Sequence, residues 1–425
     1  MSTDELIIFV IAGALLAVVS VSGRLSRAWL TEPLAMVVIG VVVAAVGLGP
    51  VDMTHPAVLT FLELTLALVL FTDAARIDLS KRHGRAVSWP ARMLGIGLPL
   101  AIVLGALLAF WILDLPLGLA LLLGVILAPT DAALAEPVLE AKELPVRVRQ
   151  SLNVESGLND GLALPALFIA MAIIEAEEGL RAADAVLLVV RQVGIGLAGG
   201  ILTAIFGAWL IGTTAKRGWM DPLHQKIAAL TLALACFAAV QMLGGSGFVA
   251  TFVAGAILGS RVHPKHEYLY EFAETEGKML VLIAFFFMGA GPIYALVSEG
   301  APIEVWLLAL ASVFIVRPVA IAISLMRGRL LLATTAFLGW FGPRGLATAV
   351  FYLVAVEEVG TGDDIAASVV IATITLSIFL HGVSARPLSV WLSRRIERAE
   401  LEDEDMAEMA EVYAHPMRSS RESGD

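Results

Sequence analysis

The sequence has few charged residues and almost no cysteine. Of its 425 residues only 16% are charged and 59% are hydrophobic, whereas a soluble domain averages about 25% and 45–50%. The single cysteine, Cys236, excludes a disulfide within the chain and a metal site built from several thiolates. No phosphate-binding loop with the Walker pattern occurs, so nothing in the sequence points to ATP-driven chemistry. The composition instead predicts a protein that lies largely within a membrane.

Long apolar runs fill most of the chain and predict helices. A helix needs about 20 apolar residues to cross the hydrocarbon core, where only helices and closed barrels satisfy their backbone polar groups. The strict alternation of barrel strands is missing. We therefore expect an all-α polytopic membrane protein with about thirteen transmembrane helices, near 5–23, 33–49, 56–75, 88–111, 115–136, 150–174, 185–213, 224–243, 246–260, 271–296, 303–326, 331–356 and 365–393.

Basic residues in the predicted loops set the orientation of the chain, because cytoplasmic loops carry an excess of lysine and arginine. One set of alternate loops holds most of these residues, while the opposite set has Arg181 and little else. We expect the basic loops to be cytoplasmic and the N-terminus to lie outside, with the protein in the plasma (inner) membrane. The basic loop residues are Arg24, Arg27, Arg76, Lys81, Arg82, Arg85, Lys142, Arg147, Arg149, Lys216, Arg217, Lys226, Arg261, Lys265, Arg327 and Arg329.

The end of the chain differs in charge from the rest. Residues 396–425 hold ten acidic residues and three arginines, which is a net charge of −7 out of the total of −11. We expect residues 1–394 to form the transmembrane domain and residues 395–425 to form a solvated or partly disordered acidic cytoplasmic tail. Nothing in the sequence suggests nucleic acid as a partner.

A short motif occurs twice. Ala128–Asp131 in span five resembles Gly342–Gly345 in span twelve, at an offset of 214 residues and seven spans. An odd number of spans gives the two copies opposite orientation, which is typical of transporters with inverted repeats. We expect two inverted six-helix repeats. Both copies place a proline and a charge at mid-span, where discontinuous helices bind ions in such folds.

A polar face is expected on span six. Helical spacing places Ser156 beside Asp160 and Glu155 beside Asn159, so these side chains share one side of the helix. A bare monovalent cation needs oxygen ligands in place of water, and a carboxylate with a nearby hydroxyl supplies them. A carboxylate in a partly dry site also holds a proton more readily than one in water. Competition between cation and proton at Asp160 is then an exchange mechanism; the alternative is a face that only packs helices together.

The two proline motifs predict interrupted helices, because proline removes a backbone donor. Asp131 follows Pro129 and Thr130, and Arg344 follows Pro343. A helix N-terminus favours negative charge and a C-terminus favours positive charge. We therefore expect Asp131 and Arg344 to compensate the ends of two broken helices where the spans cross. The alternative is a pair of proline-kinked helices with charges at an aqueous mouth.

Other charges within the spans need partners or access to water. Arg317 in span eleven is expected to pair with Glu155, since Asp160 has to stay free to exchange. Alternatively, Arg317 lies near a helix end and extends its charged group to the membrane surface. Asp73 is expected to line the cytoplasmic approach or to mark the membrane boundary. The sequence assigns no role to Lys278.

These motifs resemble those of a known family. Thr130-Asp131 and Asn159-Asp160 resemble the paired motifs of the monovalent cation:proton antiporter superfamily, and the Asn-Asp form is similar to its NhaP/NHE branch. Phe71–Asp73 and Gly342–Gly345 also resemble that branch, and the resemblance covers about residues 5–394. It implies a homodimer in the lipid bilayer, with a dimerisation domain and a mobile six-helix core (transport) domain that moves like an elevator.

The resemblance also implies a function and a site. The expected function is exchange of Na⁺, or Li⁺, for H⁺, without an enzyme activity and with no cofactor besides the transported ions. Asn159 in place of a second aspartate goes with electroneutral one-for-one exchange. The implied ion- and proton-binding residues are Asp160, Asn159, Ser156, Thr130 and Asp73, of which Asp160, Ser156 and Thr130 ligate Na⁺, while Glu155 and Arg317 form a structural ion pair.

The sequence is also compatible with other functions. A K⁺/H⁺ antiporter would share the fold and the motifs, because Na⁺ and K⁺ are separated by small differences in cavity size. A cation channel would conduct without coupling to protons. An intramembrane aspartyl protease would use Asp131 and Asp160, but such enzymes need a Gly-x-Gly-Asp context that Leu158-Asn159-Asp160 does not provide.

Overall fold

A computed structural model describes residues 3–25, 30–77, 88–262, 268–328, 330–360, 364–401 and 406–409, and these residues contain helices and no strand. A four-residue helical turn, Ser22–Leu25, and a short 3₁₀ turn, Ala407–Met409, supplement the main helices. The main helices are α1 Thr3–Ser20, α2 Glu32–Val43, α3 Pro56–Arg76, α4 Ser88–Leu113, α5 Leu117–Leu127, α6 Ala132–Leu139, α7 Val146–Glu177, α8 Ala182–Lys216, α9 Pro222–Met242, α10 Gly247–Val262, α11 Tyr268–Met288, α12 Ile303–Leu325, α13 Leu332–Trp340, α14 Leu346–Val359 and α15 Asp364–Glu400.

The lengths and composition of these helices make the chain a multi-pass membrane protein. Within the described ranges, nine helical segments of at least 18 residues are apolar enough to cross a membrane, and shorter apolar helices cover Glu5–Ser20, Glu32–Gly47 and Gly247–Ser260. The all-helical prediction is confirmed for these ranges, whereas the number thirteen and the orientation stay predictions.

Several helices contain a wide turn near a proline. Wide turns occupy Met93–Gly97 in α4, Gly289–Ile293 after α11 and Ser312–Val316 in α12. Pro99, Pro292 and Pro318 lie within or just after them, and each lacks the N–H that a regular helix would use. The wide turn in α12 matters for the site because it directly precedes Arg317 and leaves carbonyl groups available for side-chain donors.

The helices pack as two groups. The core group comprises α4–α7 and α12–α15, and the flanking group comprises α1–α3 and α8–α11. Within the flanking group α10 packs closely on α3 and α8, and α11 packs on α2; within the core group α5 packs on α4 and α7, and α12 packs on α13 and α15. The groups meet where α7 contacts α3, α8 and α10, where α14 contacts α3 and α11, and where α15 contacts α2. Whether they correspond to transport and dimerisation domains stays a prediction.

The acidic tail is partly attached to the helices. Helix α15 runs past residue 394 to Glu400. Beyond it, Met406 packs into an apolar cluster, and Glu408, only 1% exposed, accepts a hydrogen bond from the Leu331 N–H at the start of α13 (2.8 Å). The expectation of a solvated tail therefore does not fit residues 406–409, because burial of a methionine and capping of a helix N-terminus hold them in place.

Glycine allows α4 and α5 to approach closely, and this contact gives a test of the fold. A Cβ atom at Gly124 would collide with the Ile102 carbonyl oxygen, whereas one at Gly13 in α1 would meet nothing within 4 Å. We expect Gly124→Ala to destabilise the protein by about 1–3 kcal/mol through overpacking, although alanine favours helices more than glycine does. The check is the thermal unfolding of detergent-solubilised protein.

Gly13→Ala is the matched control for this substitution, since it changes the same atoms in an apolar helix without a clash. Equal melting temperatures for Gly124→Ala and Gly13→Ala would contradict the close packing of α4 on α5.

Candidate functional site

Two broken helices cross inside the core group. The first break separates α5 from α6 at residues 128–131, and the second separates α13 from α14 at residues 341–345. Each break contains a proline, Pro129 or Pro343. The Asp131 N–H donates to the Pro343 carbonyl oxygen at 2.7 Å, so the two breaks are in direct contact. The interruptions expected from the repeated motif are present.

Asp131 lies at two helix N-termini at once. Its Oδ1 accepts a hydrogen bond from the Ala133 N–H in α6, and its Oδ2 accepts one from the Leu346 N–H in α14, both at 2.8 Å. The first N–H groups of a helix lack partners within the helix and carry partial positive charge. One buried carboxylate therefore satisfies donors on both half-helices and complements both dipoles.

Arg344 lies among backbone carbonyl groups next to the two breaks. It is fully buried, and its Nε donates to the Leu127 carbonyl at the end of α5 (2.9 Å). Its two terminal nitrogens donate to the carbonyls of Gly342 (3.0 Å) and Ser312 (3.3 Å). These carbonyl oxygens carry partial negative charge, so the positive guanidinium stabilises them. The Asp131 carboxylate could not do so, because it is itself negative. The crossing thus has one anion at its N-termini and one cation at its C-termini.

Glu155 and Arg317 form a bidentate ion pair next to this crossing. Arg317 donates to Oε1 and Oε2 of Glu155 at 2.8 and 2.9 Å, and both residues are at most 4% exposed. Arg317 also donates to the Phe341 carbonyl in the second break (3.1 Å). A side chain at Gly342 would collide with the guanidinium, so glycine is required there. The pair ties α7 and α12 to the break.

A cluster of hydroxyl and amide groups lies between the first break and α7. The Asn159 Nδ2 donates to Thr130 Oγ1 at 2.6 Å, and Thr130 Oγ1 lies 3.1 Å from Ser156 Oγ. Asn159 is fully buried and its Oδ1 makes no hydrogen bond in the described structure. These neutral groups offer oxygen ligands next to the half-helix α6.

Asp160 faces a cavity between the two helix groups. The cavity has about 240 Å³ of empty space, its open mouth included, and Asp160 and Asp73 are each 7% exposed. Core-group and flanking-group residues both line it: Leu66, Val69, Asp73, Asp131, Ala132, Asp160, Val281, Leu346 and Ala347. Among the described residues, Ser156 and Thr130 are not on its wall. The structure therefore brings Asp160 together with Asp73 and Asp131, while Ser156 and Thr130 contact each other.

The sequence reasoning missed several residues at the site. Arg76, expected in a cytoplasmic loop, lies in the last turn of α3, is 4% exposed and pairs with Asp73 (3.2 Å). The spacing of three residues between them was a readable signal. Ser377 and His381 in α15 also hold the second break: Ser377 Oγ accepts from the Arg344 N–H (2.7 Å), and His381 Nε2 lies 2.8 Å from the Trp340 carbonyl oxygen. Their spacing of four residues in an apolar helix could have identified them.

Crossing broken helices with charged residues at the breaks, inside a bundle of apolar helices, define an ion-transporter architecture. The chain belongs to the sodium/hydrogen exchanger family, because the family model described as "Sodium/hydrogen exchanger, transmembrane" matches residues 10–391.

The chain is similar to proteins named as antiporters. It is 28% identical over 370 residues to the K(+)/H(+) antiporter NhaP2 of Shewanella sp. (strain MR-4), covering 84% of this chain and 62% of that protein. It is 26% identical over 401 residues to the K(+)/H(+) antiporter NhaP of Alkalimonas amylolytica, covering 92% and 68%. The chain thus spans less than two thirds of the length of the first of these relatives.

The fold is that of a solved antiporter. The sodium proton antiporter MjNhaP1 from Methanocaldococcus jannaschii matches with a TM-score of 0.71 and 21% identity, over 92% of this chain and 100% of that chain. This match supports the predicted all-α fold, whereas the thirteen spans, the inverted repeats and the dimerisation domain stay predictions.

The Glu155–Arg317 pair provides a test of what the buried charges do. We expect Arg317→Ala to destabilise the protein by about 3–5 kcal/mol, because it strands the Glu155 carboxylate and the Phe341 carbonyl. Thermal unfolding measures the loss.

The matched comparison is the double variant Glu155→Gln with Arg317→Met, which removes both charges and should recover much of the stability. A stable but inactive Arg317→Ala protein would show that Arg317 takes part in transport rather than in holding the fold.

Proposed function

We propose that the protein is a secondary active antiporter that exchanges a monovalent cation for H⁺ at Asp160. The observation that carries this proposal is the position of Asp160, a nearly buried carboxylate on a cavity between two helix groups and beside a crossing of broken helices. Family membership supports the same function. We further propose that it works as a homodimer in the plasma (inner) membrane.

Competition between a cation and a proton for one carboxylate couples the transport of the two ions. Asp160 binds a cation when ionised and gives it up when protonated, so it holds one or the other. An ionised carboxylate within the membrane costs about 2.5–3.5 kcal/mol, which would make passage of an empty, charged site about 100-fold rarer than passage of a neutralised one. The site therefore crosses the membrane when a cation or a proton occupies it. Cation flow in one direction then requires proton flow in the other.

An elevator movement fits the distribution of contacts. Asp131, Arg344 and the Glu155–Arg317 pair all join elements of the core group to one another. Their charges are compensated within that group, so it can move as a unit without separating them. Asp160 belongs to the same group and faces the flanking group across the cavity. Since Asn159 is neutral, one positive charge leaves for each that enters, which makes the exchange electroneutral.

Oxygen ligands for the cation come from the same region. We propose Asp160 as the charged ligand, with Ser156 and Thr130 as hydroxyl ligands once the core group adopts the cation-bound arrangement. Asp73 lies on the flanking-group wall of the cavity beside its partner Arg76, and we propose that it lines the approach of the cation. Na⁺ is our first candidate for the transported ion. K⁺ is the second, because the relatives that cover most of this chain are named K(+)/H(+) antiporters.

Everted vesicles carrying a proton gradient test this function. We expect addition of Na⁺ or Li⁺ to dissipate the gradient in vesicles containing the protein, as reported by a pH-sensitive dye. Asp160→Asn should reduce the response to that of vesicles lacking the protein, because the amide cannot exchange a proton. Parallel additions of K⁺ decide between the two candidate ions.

Asp184→Asn is the matched control, since it makes the same chemical change at an exposed acid that pairs with Arg181. Cation-driven proton movement that persists in a folded Asp160→Asn protein would refute the proposed mechanism.

A further inference from the structure

An ion pair joins the two helix groups next to the cavity. Lys278 in α11 of the flanking group contacts Glu136 in α6 of the core group, with Nζ 2.8 Å from Oε1. The same ammonium contacts Glu32 at the start of α2, with Nζ 3.0 Å from Oε2. Glu32 belongs to the flanking group, so Lys278 has one partner on each side of the boundary.

This pair lies next to the wall of the cavity. Lys278 is three residues from Val281, and Glu136 is four residues from Ala132, so each shares a helix face with a cavity-lining residue. One helical turn, about 5.4 Å, separates each charged residue from its cavity-lining neighbour. In both helices the charged residue is displaced towards the predicted cytoplasmic loops. The Lys278–Glu136 pair therefore lies between the cavity and that side.

The exposure of this pair differs from that of the structural pair. The side chains of Lys278, Glu136 and Glu32 are 38%, 13% and 19% exposed, whereas those of Arg317 and Glu155 are 4% and 5% exposed. Breaking a buried pair strands a charge at high cost, whereas partly exposed charges can be solvated when they separate. Lys278 also keeps Glu32 as a partner when Glu136 leaves.

We propose that Lys278 and Glu136 form a cytoplasmic gate, which is closed in this structure and opens when the core group moves. This inference rests on the proposed antiport function. With the pair formed, α6 is tethered to α11 and the cytoplasmic side of the cavity is shut. When the core group shifts, Glu136 separates from Lys278, Lys278 remains on Glu32, and Asp160 gains access to the cytoplasm. Lys278 is thus a positioning residue that sets the side to which the site opens.

Cysteine accessibility tests the gate without measuring transport. The probe is Ala132→Cys on the cavity wall, in a protein whose native cysteine is removed by Cys236→Ala. A membrane-impermeant methanethiosulfonate reagent is applied to everted vesicles, which expose the cytoplasmic face. We expect Lys278→Gln and Glu136→Gln each to raise the labelling rate about fivefold, the effect of losing one partly exposed ion pair. In right-side-out vesicles the rate should not rise.

Glu32→Gln is the matched control, because it removes the same charge from the same lysine but leaves the pair between the groups intact. We expect little change in labelling for this variant. The exchange Lys278→Glu with Glu136→Lys, made in the Glu32→Gln background, should restore slow labelling and guards against misfolding of the single variants.

Three results would overturn the gate: unchanged labelling in Lys278→Gln, an equal rise in Glu32→Gln, or a rise from the outer face instead. Each can be told apart from failure of the antiport proposal, because labelling does not depend on a transported ion. Labelling that responds as expected in a protein without exchange activity would show that the pair controls access to the cavity, and would remove the proposed antiport function.

Discussion

Breaking two helices inside a membrane leaves backbone N–H and C=O groups without partners, and no water is present in the hydrocarbon core to satisfy them. Asp131 meets this requirement for the N-termini of α6 and α14, and Arg344 meets it for the carbonyl groups around the end of α5. Each charge is stabilised by helix ends of the opposite partial charge. The rest of the site depends on this arrangement, because it fixes a polar, irregular segment beside α7.

The position of Asp160 follows from that crossing. The first break brings Thr130 against Ser156 and Asn159, and the next turn of α7 places Asp160 on the cavity. The polar and charged groups that hold the break are all within the core group, so its internal charges would stay paired in the proposed movement. The groups that face across the cavity and just below it, Asp73 and Lys278, belong to the flanking group. The contacts that hold the breaks thus lie within the core group. The contacts that are proposed to change during transport lie at the boundary between the helix groups.

Much of this arrangement could be predicted from the sequence, for identifiable reasons. Proline followed by a charge in an apolar run identifies Asp131 and Arg344, because both features are costly in a membrane helix. Helical spacing identifies the polar side of α7 that carries Asp160. The partner of Lys278 could not be read in the same way, since Glu136 is 142 residues away and only packing of α6 on the flanking group brings them together. The sequence predicts Arg76 in a loop because polar and charged residues follow the apolar run of α3, and it predicts Glu408 in a solvated tail because its neighbours are acidic. In both cases a buried contact outweighed the local composition.

In the proposed mechanism one carboxylate, Asp160, holds either a cation or a proton. The most direct measurement is calorimetric titration of the purified protein with Na⁺ and with K⁺, at several pH values and in buffers of different ionisation enthalpy. Competition at Asp160 predicts that each bound cation releases about one proton, and that the apparent affinity falls about tenfold per pH unit on the acid side. Cation binding with the same affinity at every pH, and with no proton released, would contradict it.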